Sequence, residues 1–356
     1  MNSPNFLKLV FMNTKELLKN NKEEVHKFNQ QIVPKVFIIT VLTLFIPIIS
    51  AIFSESMRQN VPAYVLTMVT LLGLLGLSKI PKLKPYPLVF VYIFGLVVFA
   101  LFLYLSIVKF PTRPAGSILT FFVVVPLLFI DHSFRINLYA FGMFVVHMIL
   151  SFVFKGVSLG SVDLINTFTS VILGMLIGRL FLITRLKQFE TEKQLKIERE
   201  TDFLTQLYNR RKLYMDLNRL DQTGYQEVGT LIIDLDHFKE FNDLYGHLTG
   251  DRCLQEFGKL LQSVSKANSV KFYRLGGEEF VGITLNMSKE EIMQLAEEIR
   301  MSVKALNIAE KNLTLSIGIS IIPIKKDQSV DYYLEGPDKA LYKAKELGRD
   351  KIELWD

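Results

Sequence analysis

A chain of 356 residues that is 50% apolar, with a mean hydropathy of +0.29, is too hydrophobic for one ordinary water-soluble domain. Its single cysteine, Cys253, excludes an intrachain disulfide framework and suits a reducing compartment. The formal net charge of +6 comes without a basic stripe interleaved with aromatics, so nucleic acid is not expected as a partner.

About 35 mostly polar residues come first, which argues against a cleavable signal peptide. Six apolar runs follow, at 36–53, 61–77, 86–108, 115–130, 136–154 and 162–183. A spanning helix needs roughly 20 mostly apolar residues, with a lower limit near 17. Each run therefore reads as a membrane span; the fourth is the shortest and holds Pro126. Lys8, Lys15, Lys19, Lys22, Lys27 and Lys35 precede the first run, and Lys79, Lys82 and Lys84 follow the second. The alternate connections carry only Arg58, then Lys109 and Arg113, then Lys155. Because Lys and Arg are retained on the cytoplasmic side, this bias predicts six spans in a lipid bilayer with both termini cytoplasmic. His132 and His147 raise the question of haem, but one histidine within a span, lacking an obvious partner, reads as structural or ligand-facing. No intramembrane charge pair is apparent, which argues against a transporter or channel.

Residues 184–200 contain neither Gly nor Pro and should continue the sixth span as a helix. Leu186, Phe189, Leu195 and Ile197 are sparse for a heptad, which leaves a short dimeric coiled coil or a solvated spacer. Charged residues then recur every few positions, and 201–356 suits one α/β domain. A strand at 228–234 leads into a helix ending near Gly246. The next helix puts Leu254, Phe257, Leu261 and Val264 on one face. Strand-like segments at 270–275 and 280–285 flank a turn at Gly276-Gly277. Ser288 and Glu291 form a capping box for a helix burying Ile292, Leu295, Ile299, Val303 and Leu306. A strand at 313–322, a helix at 337–347 and a strand near Ile352 complete the domain. This hairpin-rich order predicts a largely antiparallel sheet with helices on its face.

Two acidic centres carry the chemistry. Glu278 and Glu279 sit at the glycine turn of Arg274-Leu275-Gly276-Gly277-Glu278-Glu279-Phe280, where the absence of a Cβ permits positive φ. Asp234 and Asp236, two apart on a strand, project from one face. Strand carboxylates facing a carboxylate-bearing turn suit a hard divalent cation, and such cations commonly handle phosphates. Asp236 also fits a plain helix N-cap, and that reading is preferred. Backbone N–H groups of His237 and Phe238 open a helix, which favours anions, with Lys239 in the same turn. Lys345 and Arg349, four apart, are expected on one helical face.

These tracts occur in order with Thr201-Asp202-Phe203-Leu204-Thr205-Gln206-Leu207-Tyr208-Asn209-Arg210-Arg211, with 242–251, with Leu315-Ser316-Ile317-Gly318-Ile319-Ser320 and with 340–349. Together they resemble the GGDEF family, the diguanylate cyclases, in its Gly-Gly-Glu-Glu-Phe variant. The resemblance implies a palm-like nucleotide-cyclase fold that joins two GTP into cyclic di-GMP and two pyrophosphates. It implies two Mg²⁺ per site, replaceable by Mn²⁺, on Asp234, Glu278 and the carbonyl of Leu235. Glu279 either joins the metal shell or helps deprotonate the attacking hydroxyl. Lys345 and Arg349 would hold the triphosphate, and Asn242 and Asp251 would select the base. For Asp251 the chemistry agrees, since a carboxylate accepts from guanine N1–H and N2–H₂ together while adenine offers no such pair. One domain holds one GTP, so a homodimer through this domain and the linker helix is implied, in the bacterial cytoplasmic membrane.

The sequence also departs from the family pattern. Ala267 and Val270 stand where many members carry the Arg and Asp of a product-binding inhibitory site. Gln206 replaces a usual glycine and Asp350 stands where Asn is common, neither with an evident consequence for chemistry. The expectation is therefore a cytoplasmic segment at 1–35, a six-helix membrane domain at 36–183 answering an unknown ligand, a helical linker at 184–200 and a cyclase domain at 201–356. The competing readings are an inactive GTP or effector receptor, and a transporter or channel with a regulatory domain.

Overall fold

The computed structural model describes residues 12–308 and 311–355. The chain divides into two compact units, Met1–Glu192 and Lys193–Asp356.

The first unit is helical. It contains α1 (Lys15–Asn20), α2 (Lys22–Ser50), α3 (Glu55–Arg58), α4 (Val61–Ser78), α5 (Pro87–Leu103), α6 (Gly116–Val124) and most of α7 (Ser133–Glu200), whose last turns belong to the second unit. A π-helical turn extends α5 to Lys109, and a 3₁₀ turn extends α6 to Leu127. Among the described residues, four helices are long and apolar enough to cross a membrane: Lys22–Ser50, Val61–Ser78, Pro87–Lys109 and Ser133–Glu200. The fourth expected span is the shorter helix Gly116–Leu127. The fifth and sixth are the two sides of α7, which breaks at Gly156 (φ 71°), a conformation glycine adopts without a Cβ clash.

Phe37, Leu71, Phe94, Ile118, Phe121 and Phe122 pack inward, while Ile39, Leu42, Ile46, Leu66, Val153 and Ile165 remain exposed. Helices apolar on both sides suit a hydrocarbon surrounding. One ion pair was not legible in the sequence. Lys155 and Asp163 form a buried ion pair at 2.8 Å, and Asp163 also accepts from Ser151 Oγ and the Ala115 backbone N–H. Lys155 Nζ additionally bonds the Arg113 carbonyl. A pair eight residues apart, flanking Gly156, escapes a reading based on helical spacing because the chain reverses between its members. The pair fastens the 113–115 connection at helix ends.

The second unit is built on a six-stranded sheet of order β1-β3-β4-β2-β7-β8. Its strands are β1 (Tyr208–Asn209), β2 (Glu227–Leu235), β3 (Val270–Gly276), β4 (Glu279–Leu285), β7 (Leu315–Pro323) and β8 (Ile352–Trp355); β5 (Asn307–Ile308) and β6 (Lys311–Asn312) pair apart. The helices are α8 (Arg210–Leu217), α9 (Phe238–Tyr245), α10 (His247–Ala267), α11 (Lys289–Lys304) and α12 (Val330–Glu346). The four central strands are antiparallel, but both edges, β1–β3 and β7–β8, are parallel. The sheet is therefore mixed.

Helices cover both of its faces, not one. Leu231, Ile233 and Leu235 of β2 join Phe257, Phe280 and Ile299 in one core, while Val228 and Ile232 join Leu213, Tyr333 and Leu341 in the other. Alternation sends successive side chains of a strand to opposite faces, and β2 is buried from Val228 onward. The capping box forms as expected, with Ser288 accepting from the Glu291 N–H and Glu291 reaching back. Cys253 is buried in the first core, and burial pushes its thiol up to about 12, so it packs as an inert small residue.

Candidate active site

The register of the central strands assembles the acidic centre. Asp234 lies near the end of β2, opposite Glu279 of β4 on one side and Ser316 of β7 on the other. A two-residue connection, Gly277 and Glu278, joins β3 to β4, and Gly277 takes a left-handed φ of 52°. The Leu235 N–H reaches back to the Glu278 carbonyl at 3.4 Å. The carboxylates of strand and turn are thus neighbours by construction.

Asp234 is 8% exposed, and Lys345 Nζ lies 2.9 Å from its Oδ1. Burial raises the Asp234 carboxyl above the usual range, Lys345 works against that rise, and Glu278 and Glu279 add to it. No cluster of three or more metal-ligating side chains occurs among the described residues. A Mg²⁺ site does not require one, since that ion is commonly held by one or two carboxylates plus substrate phosphates. A buried carboxylate crowded by two others and already drawing an ammonium is a donor set that fits a hard cation.

Arg274 is a residue whose role sequence reasoning missed. Its Nε and Nη2 bond the Gly277 carbonyl at 3.0 and 2.7 Å, and its Nη1 bonds Asp202 at 3.0 Å. It thereby fastens the glycine turn to the 201–211 tract. Burial works against the Asp202 carboxylate, but bonds from the Thr205 N–H and Oγ1 and from Arg274 outweigh it and hold its pKa below the usual range. The signal lay in the sequence, since Arg274 directly precedes Leu275 and the glycines, but only the fold brings Asp202 to it.

Two expectations require correction. Asp236 does not cap α9; His237 stands at the N-cap with φ 55° and no side-chain cap bond. The Asp236 carboxylate instead accepts from Thr314 Oγ1 at 2.8 Å, Ser316 Oγ at 2.7 Å and the Asp350 N–H at 3.0 Å. These partners lie far away in sequence, so local pattern could not reveal them. Arg349 does not share a helical face with Lys345, because α12 ends at Glu346. Gly348, at φ 106°, turns the chain, and the Arg349 N–H caps back onto the Ala344 carbonyl, leaving Arg349 itself left-handed at φ 62°.

Both departures noted as inconsequential have structural meaning. Asp350 binds Arg300 at 2.6 Å and Lys304 at 2.5 Å, so it anchors this turn to α11 through its carboxylate and to Asp236 through its N–H. Partial burial works against that carboxylate, yet Lys304 and Arg300 hold its pKa below the usual range. Gln206 takes φ 58°, a left-handed conformation that glycine would adopt freely.

The remaining expected residues are placed as follows. Phe238 is buried at the start of α9, Lys239 is exposed in its first turn, and His237 Nδ1 lies 2.8 Å from Glu240. Asn242 packs against Gly250, where an added Cβ would fall 1.7 Å from its Oδ1, and that oxygen is buried without a hydrogen-bond partner. Asp251 follows Gly250 in α10 and is exposed. Ala267 ends α10, and Val270 is 3% exposed in the first core.

A family model described as "Diguanylate cyclase, GGDEF domain" matches residues 199–351. Diguanylate cyclase VdcA of Vibrio cholerae is 35% identical over 177 residues, covering 48% of this chain and 50% of that protein. Diguanylate cyclase A of Treponema denticola is 36% identical over 164 residues, covering 43% and 44%. The solved structure of the active GGEEF domain of a diguanylate cyclase from Vibrio cholerae is 34% identical, covering 42% of this chain and 97% of that one, with a TM-score of 0.38. The chain spans about half the length of the curated relatives it matches. Residues 199–351 are a GGDEF domain of the diguanylate cyclase family.

Proposed function

We propose that this chain is a diguanylate cyclase, converting two GTP into cyclic di-GMP and two pyrophosphates under the control of its helical unit. The observation that carries the reading is the convergence of Asp234, the Glu278–Glu279 turn and Lys345 at the end of β2. Asp234, Glu278 and the Leu235 carbonyl would hold the divalent cation, Mg²⁺ or Mn²⁺, with two ions per site. Bound there, such ions supply charge neutralisation of the triphosphate and a lowered pKa for the attacking 3′-hydroxyl.

Lys345, which pairs with Asp234 in the absence of a cation, would hold the triphosphate together with Arg349 from the turn after α12. The N–H groups of His237 and Phe238 add donors at a helix start, with Lys239 beside them. The unpartnered Oδ1 of Asn242 supports a role as acceptor for a guanine amine, with Asp251 accepting from the same edge. Glu279 either joins the cation or accepts the hydroxyl proton. Each domain holds one GTP, so turnover requires two copies facing each other, joined through the domain and the helix at 184–200.

The domain plan that accompanies this reading keeps 1–35 cytoplasmic, 36–183 as six spans in the bacterial cytoplasmic membrane, and 201–356 as the cyclase. Chromatography of products from the full-length chain with GTP and Mg²⁺ tests it. Cyclic di-GMP is the expected product. Tight GTP binding without any cyclic dinucleotide, even in an artificially dimerised chain, would replace this reading with that of a nucleotide receptor.

A further inference from the structure

The helical unit contains a cavity of about 850 Å³ that the cyclase reading does not use. Small-molecule sites typically enclose about 300–1,000 Å³, so this space has the size of a ligand site. Among the described residues, three long helices begin at it, beside the short α1. Lys22, Val25 and Asn29 come from the first two turns of α2, Pro87, Leu88 and Val89 from the start of α5, and His132 and Arg135 from the start of α7. Each helix start carries a partial positive charge of roughly half a unit.

Charged side chains reinforce that field. Among the described residues, Lys15, Lys19, Lys22 and Arg135 line the cavity against the carboxylates Glu16 and Asp131. The Asp131 carboxylate is already engaged by Tyr92 Oη at 2.8 Å, the His132 N–H at 2.7 Å and Arg135 at 3.4 Å. Leu18, Val25, Leu88 and Val89 add apolar lining, interrupted by Asn13, His26 and His132. Its floor is rigid, because buried Asn29 both donates to the Ile130 carbonyl at 2.7 Å and accepts from its N–H at 3.0 Å.

From this combination we infer that the cavity binds an anionic amphiphile with one acyl chain, its carboxylate or phosphate head among the lysines and Arg135 and its chain along Leu18, Val25, Leu88 and Val89. An uncharged head would gain nothing from the excess of cationic side chains on the rim, and a cation would be repelled by it. A hydrophilic anion would gain nothing from the apolar wall, where each buried methylene contributes about 0.8 kcal/mol. The inference concerns the helical unit alone and stands whether or not the second unit makes cyclic di-GMP.

The test uses the full-length chain in an uncharged detergent, with binding measured by equilibrium dialysis of labelled palmitate, a lysophosphatidate and neutral monopalmitin. Saturable binding of one anionic amphiphile per chain is expected, at least about tenfold tighter than monopalmitin. Preference between palmitate and the lysophosphatidate then identifies the head as carboxylate or phosphate. The double variant Lys19→Glu, Lys22→Glu should weaken binding about tenfold or more, while Lys35→Glu, an exposed position outside the cavity, should not change it. Val25→Trp, which fills the space and leaves the charges alone, should also exclude the ligand. Equal binding of monopalmitin, absence of saturable binding, or affinity within twofold of wild type in both the double variant and Val25→Trp would overturn the assignment. Cyclase turnover is measured separately, so failure of one reading does not imply failure of the other.

Discussion

Replacing Asp234 with asparagine should separate chemistry from stability. The substitution conserves volume at a position 8% exposed and removes a carboxylate that faces the Glu278–Glu279 turn and Lys345. On the proposed role as one of two anionic cation ligands, its loss should reduce turnover by about 10²-fold or more, or about 2.7 kcal/mol at 1.36 kcal/mol per factor of ten. The cost to the fold should be far smaller. The Lys345 partner is about a third exposed, and such a pair contributes about 0–1 kcal/mol. Removing a charge that burial disfavours works in the opposite direction. The two effects should nearly cancel, leaving a net change within about 1 kcal/mol, or about 2–4 °C in Tm for a domain of this size. Initial rates of cyclic di-GMP formation at saturating GTP and Mg²⁺, set beside thermal unfolding of the same preparation, check both halves. Retention of more than about a tenth of the rate, a loss below about 1.4 kcal/mol, is too small for an obligatory ligand and refutes the assignment. A Tm lowered by more than about 8 °C would attribute the loss to the fold instead.

Glu278→Gln, on the turn itself, should likewise cut the rate at least about tenfold while circular dichroism and Tm stay unchanged, because its side chain is only half-buried. Gln206→Gly should stabilise the second unit by about 0.5–1 kcal/mol, since it relieves a left-handed non-glycine residue at about 1–2 kcal/mol against glycine's greater unfolded-state freedom; a lower Tm would contradict this. The folded pKa of Asp202 is depressed, so its stabilisation is present above the unfolded value near 3.9 and is lost as pH falls through the folded value. Unfolding midpoints measured from pH 6 down to pH 2 should therefore decline less steeply in Asp202→Asn than in wild type. Lastly, Ala267 offers no guanidinium and Val270 no acceptor, so micromolar cyclic di-GMP should give little non-competitive inhibition. Progress curves with added product check this, and strong inhibition persisting at saturating GTP would mean a second site built from other residues.

Much of the molecule was legible in the chain because its signals are local. The Ser288–Glu291 cap and the glycine turn each act within a few residues and appear where spacing placed them, and the six apolar runs lie in helices, of which four among the described residues are long and apolar enough to cross a membrane. The acidic centre was legible for a related reason: alternation along β2 and a carboxylate-bearing turn are sequence properties that any sheet of this register must exploit.

What the chain order hid is what depends on distant partners. Asp236 reads as a cap from its neighbours, yet Thr314, Ser316 and the Asp350 N–H satisfy it. Arg349 reads as helical by spacing, but Gly348 turns the chain and Asp350, held by Arg300 and Lys304, anchors that turn to α11. Lys155 and Asp163 read as unrelated until the break at Gly156 brings them together. Parallel edges and a helical layer on each sheet face were likewise settled by packing, since a strand buried on both sides needs covering on both. Sequence alone determined which residues this protein has for its chemistry and where its apolar segments lie. Tertiary structure decided which polar groups meet, because a buried charge takes whichever partner the fold brings within hydrogen-bond reach, at any separation along the chain.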